Sequence, residues 1–192
     1  MRPSSLFVIA WVAWAVIWSV AAFWSNPTVK RGATVQAWVY RAMVGAGLVL
    51  LWPDWTTRVF GAKPMWSVGL AAAYTLAGLT FAGLLFASWA RWHMGRLWSG
   101  AITRKQGHYI VDTGPYAIVR HPIYTGLIAA TLTSAIANAT AAALVGFVLV
   151  TLGFWLKAGA EERFLAAEFG AERYSIYQRR VPMLVPFAPH RG

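Results

Sequence analysis

Residues 107–126 read Gly-His-Tyr-Ile-Val-Asp-Thr-Gly-Pro-Tyr-Ala-Ile-Val-Arg-His-Pro-Ile-Tyr-Thr-Gly, the longest polar interlude in a chain otherwise built of apolar runs. Two of the four histidines, one Arg, three Tyr, two Pro and three Gly fall in these twenty residues. A simple connector needs few of those side chains. The stretch reads as one wall of a pocket at a membrane surface, held there by apolar helices on either side.

The rest of the composition supports that setting. Of 192 residues, 58% are hydrophobic and 12% charged, against roughly 25% charged in soluble domains. Mean hydropathy is +0.51. The twelve Trp suit membrane interfaces, where an amphipathic ring sits at headgroup depth. The net charge of +11 is not gathered into one run or stripe, so it reads as membrane topology and contact with anionic lipid rather than nucleic-acid binding. No Cys is present, which excludes disulfides and Cys-ligated metal. The run Leu6–Trp24 is too long and too rich in Trp for a signal-peptide core, and reads as an uncleaved transmembrane helix.

A helix needs about 20 apolar residues to span the bilayer. On that criterion five transmembrane helices are expected: about Ser5–Trp24, Thr34–Trp52 (with Arg41 inside it), Pro64–Trp89, Pro122–Ala137 and Ala141–Lys157. The last two, separated by Asn138-Ala139-Thr140, predict a tight helical hairpin. The segment Glu161–Tyr177 predicts a polar continuation helix that stops before Pro182. The Ala-rich stretch 129–143 predicts close helix packing through small residues. The fold class is all-α integral membrane, with 1–90 as three N-terminal spans and 91–192 as the core that carries the chemistry.

Lys and Arg place thirteen charges on one side of such a bundle and three on the other. By the positive-inside rule the N-terminus is outside, and 107–126 and the C-terminal tail share the cytoplasmic side. The setting expected is a bacterial inner membrane.

Two clusters could carry chemistry there. In Arg120-His121-Pro122-Ile123-Tyr124, the proline pushes residue 121 toward extended backbone and can begin a helix at its first turn. Arg120 and His121 then sit at a helix mouth that favours anions, and Arg120 can grip a carboxylate in bidentate fashion. In Lys157-Ala-Gly-Ala-Glu161-Glu162, adjacent carboxylates close an apolar helix, which is costly unless they are paired or used. Lys157 and Glu161 share a helix face, and Glu162 points about 100° away. Only six Asp or Glu exist, and four lie within 161–172, so a cationic ligand or an amino group is expected nearby. His93 reads as an interfacial side chain. The histidine spacing shows no metal signature, and no catalytic metal is expected. Neither a Gly-x-Ser-x-Gly nor a phosphate-binding glycine loop is present.

The series Gly114-Pro115-Tyr116-x-x-x-Arg120-His121-Pro122-x-Tyr124-x-Gly126, then Glu161-Glu162, then Phe169-Gly170-x-x-x-Tyr174-x-x-Tyr177-x-x-x-Val181-Pro182, resembles the isoprenylcysteine carboxyl methyltransferase family, with its bacterial and archaeal relatives and, more distantly, the phospholipid N-methyltransferases. The likeness covers roughly residues 90–187. It implies an integral membrane methyltransferase that uses S-adenosylmethionine in a cytosol-facing pocket. Carried over by position, the cofactor would lie against His108, Tyr109, Ile110, Val111, Tyr116, His121, Pro122, Ile123, Tyr124 and Glu161. Lys157, Glu162 and Arg120 would be the catalytic set: Lys157 as a cationic guide for a carboxylate acceptor, Glu162 as base for an amine. The family has Arg where this chain has Lys157, and Gln where it has Ala101. The acceptor implied is lipophilic, a prenylcysteine-like carboxylate or an amine lipid headgroup, entering from the bilayer. Two other readings of the same helical plan are an NADPH-dependent membrane reductase of the sterol-reductase type and a non-enzymatic membrane module.

Overall fold

The computed structural model describes residues 3–31, 35–107 and 109–188. Seven α-helices occur among them: α1 Pro3–Ala22, α2 Val35–Leu50, α3 Pro53–Phe60, α4 Leu70–Met94, α5 Pro122–Asn138, α6 Ala141–Phe169 and α7 Ala171–Arg180. Two short strands, β1 Thr28–Arg31 and β2 Thr103–Lys105, pair antiparallel. Single 3₁₀ turns stand at Gly95–Leu97 and Gly114–Ala117.

Three helical segments are long and apolar enough to cross a bilayer: Pro3–Ala22, Leu70–Leu97 and Ala141–Phe169. The expected count of five rested also on α2 and α5, which have 16 and 17 residues. At 1.5 Å per residue each is about 25 Å long, short of a hydrocarbon core of about 30 Å. The third helix begins at Leu70 rather than Pro64. The residues before it are tied to the far end of the bundle instead, with Met65 N–H donating to Ala139 O (2.7 Å) and the Trp66 indole to Ile136 O (3.2 Å). α2 stops at Leu50, and Pro53 then opens α3, closed by Gly61 at φ +61°. Toward the C-terminus α6 runs unbroken past the two carboxylates to Phe169. Gly170, at φ +92°, separates it from α7.

Packing follows the small residues. α5 lies principally against α4 and α6 principally against α2, with a lesser contact between α5 and α6. Each main pair meets at facing glycines. A Cβ on Gly83 would stand 2.7 Å from Gly126 O, and one on Gly146 would stand 2.6 Å from Gly47 O. Such contacts let two backbones approach where no hydrophobic gain drives helices together. Around them Ala87, Ala130, Ala135, Ala143 and Ala158 are fully buried. In the α5–α6 turn Ala139 takes the left-handed conformation, and the Thr140 hydroxyl caps α6 by accepting from Ala143 N–H.

α1 is held by a buried cation. Arg91, near the end of α4, donates to the carbonyls of Ala21 (2.6 Å), Trp24 (3.1 Å) and Gly95 (2.7 Å). Its guanidinium lies 4.5 Å from the centre of the Trp98 ring. The C-terminal end of α1 is thereby fixed to the same end of the bundle as residues 95–121. Arg41, by contrast, is exposed and rests 5.7 Å from the Trp38 ring.

Gly126→Ala would drive a Cβ to 2.8 Å from the Ala87 backbone nitrogen, so it should cost about 1–3 kcal/mol by overpacking. Gly78→Ala meets nothing within 4 Å and should stabilise the helix by about 0.5–1 kcal/mol. Thermal unfolding of the two variants in the same detergent should shift Tm in opposite directions.

Candidate active site

The polar cluster forms where α4, α5, α6 and α7 converge. Gly114 sets its entrance. It has φ +57°, and the His93 ring occupies the space a Cβ would take, 2.7 Å away. His93 Nε2 is 2.9 Å from Thr113 Oγ1, and its ring stacks on Tyr116 at 6.3 Å between centres. His93, expected to be a plain interfacial side chain, therefore shapes this turn. Tyr116 lies buried against the Ala90 carbonyl of α4, and its own carbonyl accepts from the Tyr177 hydroxyl at 2.7 Å. Burial pushes the phenols of Tyr116, Tyr174 and Tyr177 up, so all three stay neutral.

Arg120 and His121 precede Pro122, the first residue of α5. Both meet Glu162. Arg120 forms a fork on it, Nε to Oε1 at 2.7 Å and Nη2 to Oε2 at 3.1 Å. Arg120 Nη1 donates to the carbonyls of Gln178 and Val181. Gln178 Nε2 also donates to Glu162, at 2.8 Å. The imidazole of His121 bridges the two carboxylates, with Nε2 3.1 Å from Glu162 Oε1 and Nδ1 3.5 Å from Glu161 Oε2. Glu161 also accepts from the Tyr124 hydroxyl (2.7 Å) and faces Lys157 Nζ at 3.8 Å. Rings stack along α5 and α6, His121 on Tyr124 at 5.4 Å and Tyr124 on Phe154 at 4.8 Å.

Two cavities adjoin at this cluster. The first, of about 120 Å³, is lined by Tyr109, Ile110, Val111, Tyr116, Arg120, His121, Pro122, Ile123, Tyr124 and Glu161 among the expected residues. Met94, Trp98, Phe164 and Tyr174 complete its apolar and aromatic faces. The second, of about 260 Å³, lies between α1, α2, α5 and α6 and has Lys157 on its wall. Trp98, Ile123 and Tyr124 border both. Glu162 lines neither, being enclosed by Arg120, His121 and Gln178. His108 lies outside the described residues.

Sequence reasoning missed Gln178, Met94 and the C-terminal strap. The backbone N–H groups of Arg120 and His121 donate to Pro182 O and Met183 O, and the Thr125 hydroxyl donates to Leu184 O. Backbone pairing of that kind leaves no side-chain signal. Gln178, one turn beyond Tyr174 on α7, carries none of its own either.

Burial lowers the pKa of His121, but hydrogen bonds and charge from Glu161 and Glu162 outweigh it, and the net shift is upward from 6.5. A raised folded value makes protonation stabilising below the unfolded pKa of about 6.5, and that stability is lost as pH rises through the folded value. Tm of the protein should therefore fall above about pH 6.5, and His121→Asn should flatten that dependence. Thermal melts across pH, on both proteins in one detergent, check the sign.

Part of the chain that carries these residues is similar to known proteins. Residues 76–167 match the isoprenylcysteine carboxyl methyltransferase (ICMT) family profile. Methanethiol S-methyltransferase 2 of Bradyrhizobium diazoefficiens is 34% identical over 155 residues, covering 73% of this chain and 56% of that protein. Protein-S-isoprenylcysteine O-methyltransferase of Xenopus laevis is 30% identical over 84 residues, covering 44% of this chain and 29% of that protein. Protein-S-isoprenylcysteine O-methyltransferase B of Arabidopsis thaliana is 29% identical over 86 residues, 45% of this chain and 44% of that protein. The chain thus spans little more than half the length of the first relative and less of the other two. The matched residues 76–167 carry Tyr116, Arg120, His121, Tyr124, Lys157, Glu161 and Glu162, so both clusters of the site lie in the stretch that is similar to the isoprenylcysteine carboxyl methyltransferase family.

Proposed function

We propose that this site transfers a methyl group from S-adenosylmethionine to a lipophilic acceptor at the membrane. The observation that carries the reading is the junction of the two cavities: one presents the Glu161 carboxylate among aromatic faces, the other is apolar, and Tyr124 stands between them. The named reactions of the relatives, S-methylation of methanethiol and O-methylation of isoprenylcysteine, pair one group transfer with apolar acceptors.

The chemistry of the first cavity fits the cofactor. S-adenosylmethionine, when bound, supplies an electrophilic methyl group on a sulfonium. Glu161 offers a carboxylate for an ammonium. Tyr116, Trp98 and the Met94 thioether offer polarisable surfaces for a ring and a cation. Tyr109, Ile110, Val111, His121, Pro122, Ile123 and Tyr124 complete the binding wall, and His108 joins them by resemblance to the family alone. Arg120 and Glu162 act by holding rather than by chemistry: the guanidinium already makes four hydrogen bonds within the protein. Lys157 serves the acceptor side. Catalysis is then mainly positioning and exclusion of water.

Ligands of drug-like size occupy pockets of roughly 300–1,000 Å³. A cavity of about 120 Å³ must therefore widen on binding. Among the described lining residues, those from Trp98 to Thr103 and from Tyr109 to Val111 lie outside the α-helices, and we take them as the wall that yields. We assign the site to the cytoplasmic face of a bacterial inner membrane, with the N-terminus outside, because the basic residues concentrate at that end.

Calorimetric titration of S-adenosylmethionine into the protein in detergent should give binding that Glu161→Gln weakens at least tenfold. Hydrogen exchange should show the 97–111 segment changing protection on binding. Absence of binding at millimolar cofactor would sink the assignment.

A further inference from the structure

We propose that the β1–β2 ribbon is the gate of the first cavity, latched to α6 by the Lys30–Glu168 ion pair, and that Thr103 on this ribbon meets the nucleoside end of the cofactor. This rests on the methyltransferase reading above and assigns how the cofactor is admitted and held.

Floor and roof of the cavity are separate pieces. The floor is one face of α6, where Lys157, Glu161, Phe164, Leu165 and Glu168 follow at helical spacing and so form a single stripe. Glu161, Phe164 and Leu165 of that stripe line the cavity. The roof is the ribbon, which lines it through Thr103 of β2 and through Ala101 and Ile102 just before.

The two arms of the ribbon are bonded to each other. Beyond the β1–β2 pairing, Asn26 N–H donates to Arg96 O (2.7 Å), the Asn26 side-chain amide to Gln106 O (3.2 Å) and Gln106 N–H to Pro27 O (3.2 Å). Residues 26–31 and 96–106 therefore move as one unit. Two side chains of the α6 stripe tie this unit to the floor. Lys157 Nζ donates to Gly100 O at 3.1 Å. At the other end Lys30 Nζ pairs with Glu168 and lies 6.0 Å from the centre of the Phe164 ring. The ties stand three helical turns apart, about 16 Å, with Glu161 and Phe164 between them.

The two ties differ in strength. Lys157 is buried, and Trp98 beside Gly100 is packed under the Arg91 guanidinium at 4.5 Å. The Lys30 side chain is 60% exposed, and an ion pair with one partner in solvent is weak and screened by salt. A two-stranded ribbon has little stability of its own. The Lys30 end is thus the end that lifts, and the Gly100 end is the hinge.

Thr103 supplies an independent sign that a ligand belongs under the roof. It is 8% exposed and lines the cavity, yet its hydroxyl is buried without a hydrogen-bond partner among the described residues. A buried hydroxyl left unpaired is costly, and a ligand that pairs with it recovers that loss. Thr103 lies opposite Arg31 in the ribbon, one residue along from the pairing of Lys30 with Arg104, so it stands near the latch. With the cofactor ammonium at Glu161, the nucleoside lies toward Phe164, whose ring offers it a face, and its polar edge meets the Thr103 hydroxyl.

The chain has no Cys, so the double variant Lys30→Cys, Glu168→Cys puts thiols at the latch alone. A short bis-methanethiosulfonate joins them, and a reductant releases them. In stopped-flow binding of S-adenosylmethionine to the full chain in detergent, a cross-link made on the free protein should slow association about tenfold or more, and reductant should restore it. A cross-link made after binding should slow release to a similar extent. Lys30→Met should speed both steps about two- to fivefold, as should added salt on the unsubstituted protein. Thr103→Val should weaken cofactor binding about fivefold through faster release, while Thr103→Ser keeps it within about twofold. Thr103→Val should also raise the Tm of the free protein, because an unpaired hydroxyl is removed; a hydroxyl that only supports the fold would lower Tm when lost. The proposal is overturned if fully cross-linked protein binds and releases cofactor at the rates of the uncross-linked one, or if Thr103→Val binds as the unsubstituted protein does. Failure of the unsubstituted protein to bind S-adenosylmethionine at all defeats the methyltransferase reading, and binding with rates that ignore the cross-link defeats this one.

Discussion

The carboxylate of Glu162 is the point on which the site depends. Arg120 grips both its oxygens, His121 reaches one of them and Gln178 the other. Those partners come from the start of α5 and from α7, so one buried group joins three helices. Arg120 then carries the linkage on to the carbonyls that end α7. Removing one partner of such a buried pair typically costs about 3–5 kcal/mol, because the other charge is left uncompensated. Here the loss would also free the strap at Pro182–Leu184, which pairs with Arg120, His121 and Thr125. With Glu162 so occupied, its neighbour Glu161 is the carboxylate that faces the cavity.

Close approach of the long helices makes this possible. Gly83 against Gly126 and Gly47 against Gly146 bring α4 to α5 and α2 to α6. That places the mouth of α5 and the polar end of α6 side by side. Arg91 adds α1 to the same end, which gives the second cavity its tryptophan wall. One end of the bundle therefore carries a charged cavity and an aromatic one with Tyr124 as their shared wall.

Much of the site was legible because its chemistry is local in sequence. Arg120-His121-Pro122 combines a helix start with two cationic groups, and Glu161-Glu162 places both carboxylates where that helix mouth can meet them. The continuous helix to Phe169 was less legible, since the polar residues after Lys157 look like a break and only Gly170 is one. The β1–β2 pairing and the C-terminal strap rest on backbone hydrogen bonds, which no residue type announces. The α1 tryptophans read as an interfacial belt, and the distinction between belt and cavity lies in the rotation of α1 about its axis. Arg91 holds the end of α1 and the Trp11 indole donates to Ser134 of α5, yet in sequence Arg91 is one of several basic residues at a helix end. The length of α2 and α5 likewise reflects turns made at Leu51 and Ala139, where Asn138 ties the two ends together.

The most direct test is an experimental structure of the protein with S-adenosylhomocysteine, the demethylated form of the proposed cofactor. The account predicts density between residues 109–124 and Glu161, with the Arg120–Glu162 fork intact and the 97–111 wall displaced outward. Density elsewhere, or within the tryptophan-lined chamber in place of this cavity, would contradict it.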